Sequence, residues 1–246
     1  MKDFSEFLNS HCHGHLVGIG GVSMAPLAEV LVGCGLNISG SDIAESERTS
    51  HLRGLGINIY IGHDCNNISE DTDFVVRTAA AHDDNPEIVR ARELGIPVYE
   101  RTQAWGAIMK GYENALCIAG THGKTTTTSM CTHILMAAEK DPTVMIGGTL
   151  PLLKASHRVG KGNTIIMESC EYYNSFLSFY PTVAVILNIE EDHLDFFKDL
   201  DDIKRSFRSF AMHVPENGYV VANYDDANTM DALEGIGRRI VTFGRS

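Results

Sequence analysis

The stretch CIAGTHGKTTTT, residues 117–128, has the residue types of a phosphate-binding loop. Glycines at 120 and 123 let the backbone turn its N–H groups inward, and a helix pattern starting at Lys124 adds the partial positive charge of its N-terminus. Lys124 would reach the outer phosphates of a nucleotide and the Thr125 hydroxyl would hold Mg²⁺, with Thr121, His122 and Thr126 completing the loop. The usual pattern carries another glycine where this chain has Ile118, so the motif departs from type at its opening. Threonine in a helix interior costs up to about 0.7 kcal/mol against alanine. Propensity therefore does not account for the run from Thr125 to Thr128, whereas a bound anion does.

Two other apolar runs end in residues that could serve the same site. TIIMES ends in Glu168, and AVILNIEEDHLD offers Asn188, Asp192 and His193 in the same relation to its strand. In an open parallel sheet, ligands bind at the carboxyl ends of the strands. A glutamate there is ordinarily just solvated; beside a phosphate loop it becomes a candidate Mg²⁺ ligand. Flanked by acids from Glu190 onward, His193 points to a metal or phosphate role.

A second glycine motif lies near the N-terminus. GIGGVS places Gly18 and Gly20 as in a dinucleotide-binding turn, but Ser23 stands where the third glycine belongs. Asp42, at the end of the next strand, is at the distance where a carboxylate reaches a ribose hydroxyl. Alone, this fits an NAD-dependent oxidoreductase, and it fits any other diphosphate linked to a ribose equally well. The alternating His11, His13 and His15 could gather a metal, yet they run straight into a strand without an acid or thiolate at fixed spacing.

These motifs need a frame, and the chain supplies an α/β one: short apolar runs alternate with amphipathic stretches, as in a mostly parallel sheet. Strands are expected at HLVGIG, LNISGSD, INIYIG, DFVVRT and IPVYE, with helices at 23–35, at ERTSHLRGLG and at NPEIVRARELG, the last opened by Asn85 and Pro86. Residues 105–114 read as polar and irregular, which puts a domain boundary near residue 112 and gives domains 1–112 and 113–246. The second half repeats the alternation: strands at ALCIAG, TVMIGG, NTIIMES, TVAVILN, GYVVANYDD and RIVTFG, with helices after Gly123 and at LDDIKRSFRSFAMHV. The chain stops directly after a strand, so the second domain is expected to be incomplete at its C-terminus.

Composition narrows the function. A chain of 246 residues with 43% hydrophobic and 21% charged residues reads as globular. Its net charge of -12, with no basic patch, argues against nucleic acid. No apolar run approaches the roughly 18 residues of a membrane span, and the N-terminus lacks a signal peptide's apolar stretch, so a cytoplasmic location and no membrane partner are expected. Six scattered cysteines without metal-ligand spacing read as reduced thiols.

Taken in order, GIGGVSMAPLAEVL, SGSD, NPE, IPVYER, GTHGKTTT, DPTVMIGG, ESCEYYNSF, NIEEDHLDFF and NYDD resemble the Mur ligases, from about His15 to the last residue. In that family the ATP loop opens at the equivalent of Gly120, so the absent glycine is a family variant. The resemblance implies a Rossmann-like UDP-substrate-binding domain followed by a P-loop ATPase-type central domain, with the family's C-terminal ligase domain absent and little activity from this chain alone. It implies an ATP- and Mg²⁺-dependent ligase that joins L-alanine to UDP-N-acetylmuramate through an acyl phosphate; a relative that joins a peptide, or a non-catalytic UDP-sugar-binding module, are the alternatives. By the same resemblance Gly18, Gly20, Gly21 and Val22 meet the diphosphate, Asp42 the nucleoside, and His63 and Arg101 lie near the substrate. Lys124, Glu168 and His193 are the implied catalytic residues, Thr125, Glu168 and His193 the metal ligands, and Glu171 and Asn188 line the pocket. Ser23 and RTAAA, residues 77–81, depart from the family pattern.

Overall fold

In the computed structural model, which describes residues 3–8 and 10–245, the chain separates into two compact units, Met1–Ile108 and Met109–Ser246.

In the first unit β1 (His13–Val17) leads through the glycine turn to α1 (Met24–Gly33) and β2 (Asn37–Asp42). There follow α2 (Glu47–Gly54), β3 (Asn58–Ile61), β4 (Phe74–Arg77), α3 (Pro86–Glu93), β5 (Val98–Glu100) and α4 (Arg101–Met109). The sheet runs β3-β2-β1-β4-β5 with every pairing parallel. Chain order reverses between β1 and β4, which opens a crevice at their carboxyl ends. Local chemistry sets the helix starts: Ser46 and Thr49 cap α2 reciprocally, and Asn85 accepts the Glu87 amide at the head of α3, with Pro86 in its first turn. Val17, Val75, Ile88 and Ala91 close the core between sheet and α3.

One expectation is corrected here. Residues 105–114 are not irregular throughout, because α4 extends to Met109 and buries Ala104, Trp105, Ala107 and Ile108. Gly106 and the polar residues from Lys110 onward hide that apolar face from a reading along the sequence.

The second unit runs β6 (Asn114–Ala119), α5 (Lys124–Ala137), β7 (Thr143–Leu150), β8 (Ala155–Arg158), β9 (Thr164–Glu168), β10 (Val183–Ile186), α6 (Leu200–Met212), β11 (Tyr219–Asn223), α7 (Ala227–Ala232) and β12 (Ile240–Phe243). Its sheet order is β12-β11-β10-β6-β9-β7-β8, parallel except for the β7–β8 hairpin. The sequence reading missed β8, whose half-buried ASHR lacks alternation, and the short α7. The strands nearest the loop, β6 and β9, are almost wholly apolar inside. On α6, Phe207 and Phe210 pack against Phe176, the second pair stacked at 4.5 Å between ring centres. Among the described residues no helix is long and apolar enough to cross a membrane.

Candidate active site

The loop after β6 enters α5 at Gly123, whose φ of +83° is a left-handed conformation that glycine adopts without steric cost. That turn brings Lys124 back over its own loop. Its Nζ donates to Gly120 O at 2.6 Å and Thr121 O at 3.1 Å, and pairs with Glu171 Oε2 at 3.1 Å. Glu171 is buried at 2% exposure, so the lysine is the cation that makes its burial tolerable. The next residue reaches a different strand end: Thr125 Oγ1 donates to Glu168 Oε1 at 2.8 Å, at the carboxyl end of β9. Glu168 Oε2 also accepts the Gly147 amide at 2.6 Å. A Cβ on Gly147 would lie 2.6 Å from Glu168 Oε1, so a side chain there would push the carboxylate from its present position.

The segment after β10 fastens the loop from the other side. Asn188 Oδ1 accepts the His122 amide at 2.7 Å while its Nδ2 donates to His122 O at 3.1 Å, and the Glu190 amide donates to Thr121 Oγ1 at 2.9 Å. Asn188, expected to line the pocket, is thus a brace for the loop backbone. His193 follows with a left-handed φ of 52°, an uncommon conformation for a residue with a side chain, and Tyr172 stacks on its ring at 4.3 Å. The Tyr172 hydroxyl donates to Asp195 Oδ2 at 2.5 Å, and Asp195 and Tyr173 beside it push its ionisation upward. Ligand atoms of Glu171, Asp192 and His193 lie within 4.8 Å of one another. Two carboxylates and an imidazole at that spacing suit a divalent cation. The expected ligands are therefore divided: Thr125 and Glu168 touch each other, while His193 clusters with Glu171 and Asp192.

The first unit has a separate cavity of about 510 Å³ at the carboxyl ends of its strands, lined by Gly18, Gly21, Asp42 and His63 among others. The other three expected residues are not among its lining. The Gly20 amide donates to Asp42 Oδ2 at 2.8 Å and its carbonyl accepts from Arg48 Nε at 2.6 Å, so the peptide groups on either side of this residue are each held by a side chain. Val22 is half exposed, and Arg101 donates to Ser23 Oγ, the side chain in the third-glycine position.

His13 and His15 do have polar partners, supplied by the fold. Both rings meet Ser39 Oγ, at 3.0 Å and 2.9 Å, and the fully buried His15 lies 3.5 Å from Glu87 Oε1. Sequence reading passed over Glu87 as a site residue, because an acid in a helix's first turn usually just complements the dipole.

Fold and site together define an α/β protein of two largely parallel sheets, each with a glycine turn between a strand and a helix at the carboxyl ends of its strands. Residues 13–113 match the model described as "Mur ligase family, catalytic domain", and residues 118–246 match the "Mur ligase middle domain". The chain belongs to the Mur ligase family. It is 50% identical over 236 residues to UDP-N-acetylmuramate--L-alanine ligase of Acetivibrio thermocellus, a match covering 96% of this chain and 50% of that protein. Among solved structures, UDP-N-acetylmuramate-alanine ligase of Thermotoga maritima superposes with a TM-score of 0.80 at 34% identity, over 96% of this chain and 53% of that one. UDP-N-acetylmuramate:L-alanyl-gamma-D-glutamyl-meso-diaminopimelate ligase of Neisseria meningitides gives 0.84 at 29% identity, over 95% and 78%. The chain spans about half the length of the curated relatives it matches.

Proposed function

We propose that this chain carries the UDP-substrate and ATP-handling units of a ligase that joins L-alanine to UDP-N-acetylmuramate. The carrying observation is the setting of Lys124, a cation parked on two loop carbonyls and a buried carboxylate, beside the Thr125–Glu168 pair. Backbone carbonyls are acceptors that a phosphate can replace, so ATP would take Lys124 from Gly120 and Thr121 onto its γ-phosphate. The muramyl carboxylate then attacks the γ-phosphorus, ADP leaves, and the acyl phosphate is opened by the amine of alanine with release of phosphate. Both steps gather charge on phosphoryl oxygens, which a lysine, inward amides and a helix N-terminus stabilise without covalent protein chemistry. Thr125 with Glu168, and His193 with Glu171 and Asp192, offer two groups of oxygen and imidazole donors that would hold Mg²⁺ ions. When bound, the ions would neutralise phosphate charge. Gly18, Gly21, Asp42 and His63 would hold the UDP part in the cavity of the first unit. An ATP-dependent reaction on a UDP-linked substrate supports a cytoplasmic setting for this proposal.

Calorimetry on the 246-residue chain tests both halves. UDP-N-acetylmuramate and Mg–ATP should each bind, and Lys124→Ala should abolish ATP binding alone. Equal ATP affinity in that variant would overturn the reading. Phosphate release that needs UDP-N-acetylmuramate and L-alanine identifies the reaction, whereas release only with a peptide in place of alanine would move the chain to the peptide-joining relatives.

A further inference from the structure

Glu87, in the first turn of α3, is fully buried beneath the cavity of the first unit. Its Oε2 accepts from Ser41 Oγ at 2.6 Å and lies 2.9 Å from His63 Nδ1; its Oε1 accepts from Asn67 Nδ2 at 2.6 Å and lies 3.5 Å from His15 Nε2. Burial acts to raise its pKa, and hydrogen bonds from His15, Ser41 and Asn67 outweigh it, holding the carboxyl below its ordinary range. An ionised carboxylate only accepts, so the ring nitrogen 2.9 Å away must carry a proton. Ser41 Oγ, already donating to Glu87, has only lone pairs left for the same nitrogen at 3.0 Å. Two acceptors thus fix the His63 proton on Nδ1, and Nε2 is the nitrogen the ring has left for a ligand.

The charges around that ring are mixed. Glu87 faces it from α3, with His15 of β1 behind the same carboxylate, and Asp64 adjoins it in sequence. Asp42 from β2 and His82 and Asp84 from the segment before α3 line the same cavity. Without a proton on Nε2, the ring offers an entering diphosphate nothing to set against Glu87, Asp42 and Asp84. One proton taken from solvent onto Nε2 makes an imidazolium that balances Glu87 below and donates to a phosphate oxygen above.

We propose that Glu87 is a positioning residue of this cavity: it holds the His63 proton on Nδ1 and stabilises the imidazolium, so that Nε2–H is presented to a diphosphate whose binding takes up a proton. This rests on the reading that the first unit binds the UDP part of the substrate. The test is calorimetry of this chain with pyrophosphate and with UDP, between pH about 6 and about 8, in buffers of different ionisation enthalpy. Both ligands should bind more tightly toward the lower pH with net proton uptake, and Glu87→Gln should weaken both about tenfold and remove the uptake. Glu87→Gln binding within about twofold of wild type, with uptake retained, would overturn the proposal. If Glu87→Gln does not fold, nitrogen NMR of the ligand-free wild type decides: a neutral His63 protonated on Nε2 sinks the proposal, and one protonated on Nδ1 sustains it. Tight UDP binding indifferent to Glu87 leaves the UDP reading standing and removes this inference. Glu87-dependent pyrophosphate binding, with UDP no tighter than pyrophosphate, does the reverse, and failure of both ligands to bind removes both.

Discussion

The two units use the same device, a parallel strand feeding a glycine turn and a helix, but they rest it on different floors. Under the first turn lies a polar, titratable layer: His13 and His15 on β1, Ser39 and Ser41 on β2, and Glu87 from α3, joined by hydrogen bonds. Under the second, β6 and β9 bury Ala115, Cys117, Ile118, Ile165 and Ile166, and the charges sit at the strand ends. In the first unit the adjacent strand restrains the turn, through Asp42 on the Gly20 amide. In the second the turn is restrained by its own lysine and by Asn188. The same turn thus rests on a titratable layer in one unit and on an apolar one in the other, and on the proposed reading only the first would respond to pH.

The largest expected effect comes from removing the cation of the second unit. Lys124→Ala leaves Glu171 buried without its partner, and breaking such a pair costs about 3–5 kcal/mol. Trp105, the sole tryptophan, lies on α4 in the first unit, so its fluorescence should unfold at an unchanged denaturant midpoint while the circular dichroism transition moves down. Adding Glu171→Gln should restore most of the stability and none of the ATP affinity. If both transitions shift together, the units unfold as one and the comparison fails.

Next in size is Gly147→Ala, whose new methyl would crowd Glu168 Oε1. The carboxylate can swing aside, so the cost lies at the low end of the roughly 1–3 kcal/mol of core overpacking. Titration should show weakened Mg–ATP binding with UDP binding intact, and loss of both would mean the sites are not separate.

Acid sharpens the contrast further. Glu87 has a folded pKa below its ordinary value of 4.5, so its stabilisation is complete above that value and is lost as pH falls toward the lower folded one. Unfolding followed through Trp105 should therefore lose stability more steeply in wild type than in Glu87→Gln below that pH. Parallel slopes would show that the polar floor contributes nothing.

The smallest effect is chemical. Burial pushes the Cys117 thiol up to about 12, so it should stay silent to a thiol reagent at neutral pH in the folded chain, while exposed Cys65 of the first unit reacts. Prompt labelling of Cys117 would mean that the apolar floor opens.

Much of this was legible beforehand because it depends on local pattern. Helix α3 begins where Asn85 and Pro86 say it should, and the loop before α5 sits between an apolar strand and a helix, as a phosphate loop must. Helix α4 was missed since Gly106 and the polar residues after Met109 blur its apolar face, and β8 since its residues are neither buried nor alternating. Glu168 and His193 could be nominated from strand ends, but not their company. That Glu168 meets Thr125 and Gly147, and that His193 gathers with Glu171 and Asp192, follows from which strands lie side by side.

By itself the sequence determined the α/β frame, the two glycine turns and the cation of the second, because each is written within a dozen or so residues as periodicity, caps and spacing. Only the tertiary structure decided which charges face one another. His15 and Glu87 are far apart along the chain and 3.5 Å apart in space, and an electrostatic contact depends on distance through space, which no local pattern encodes.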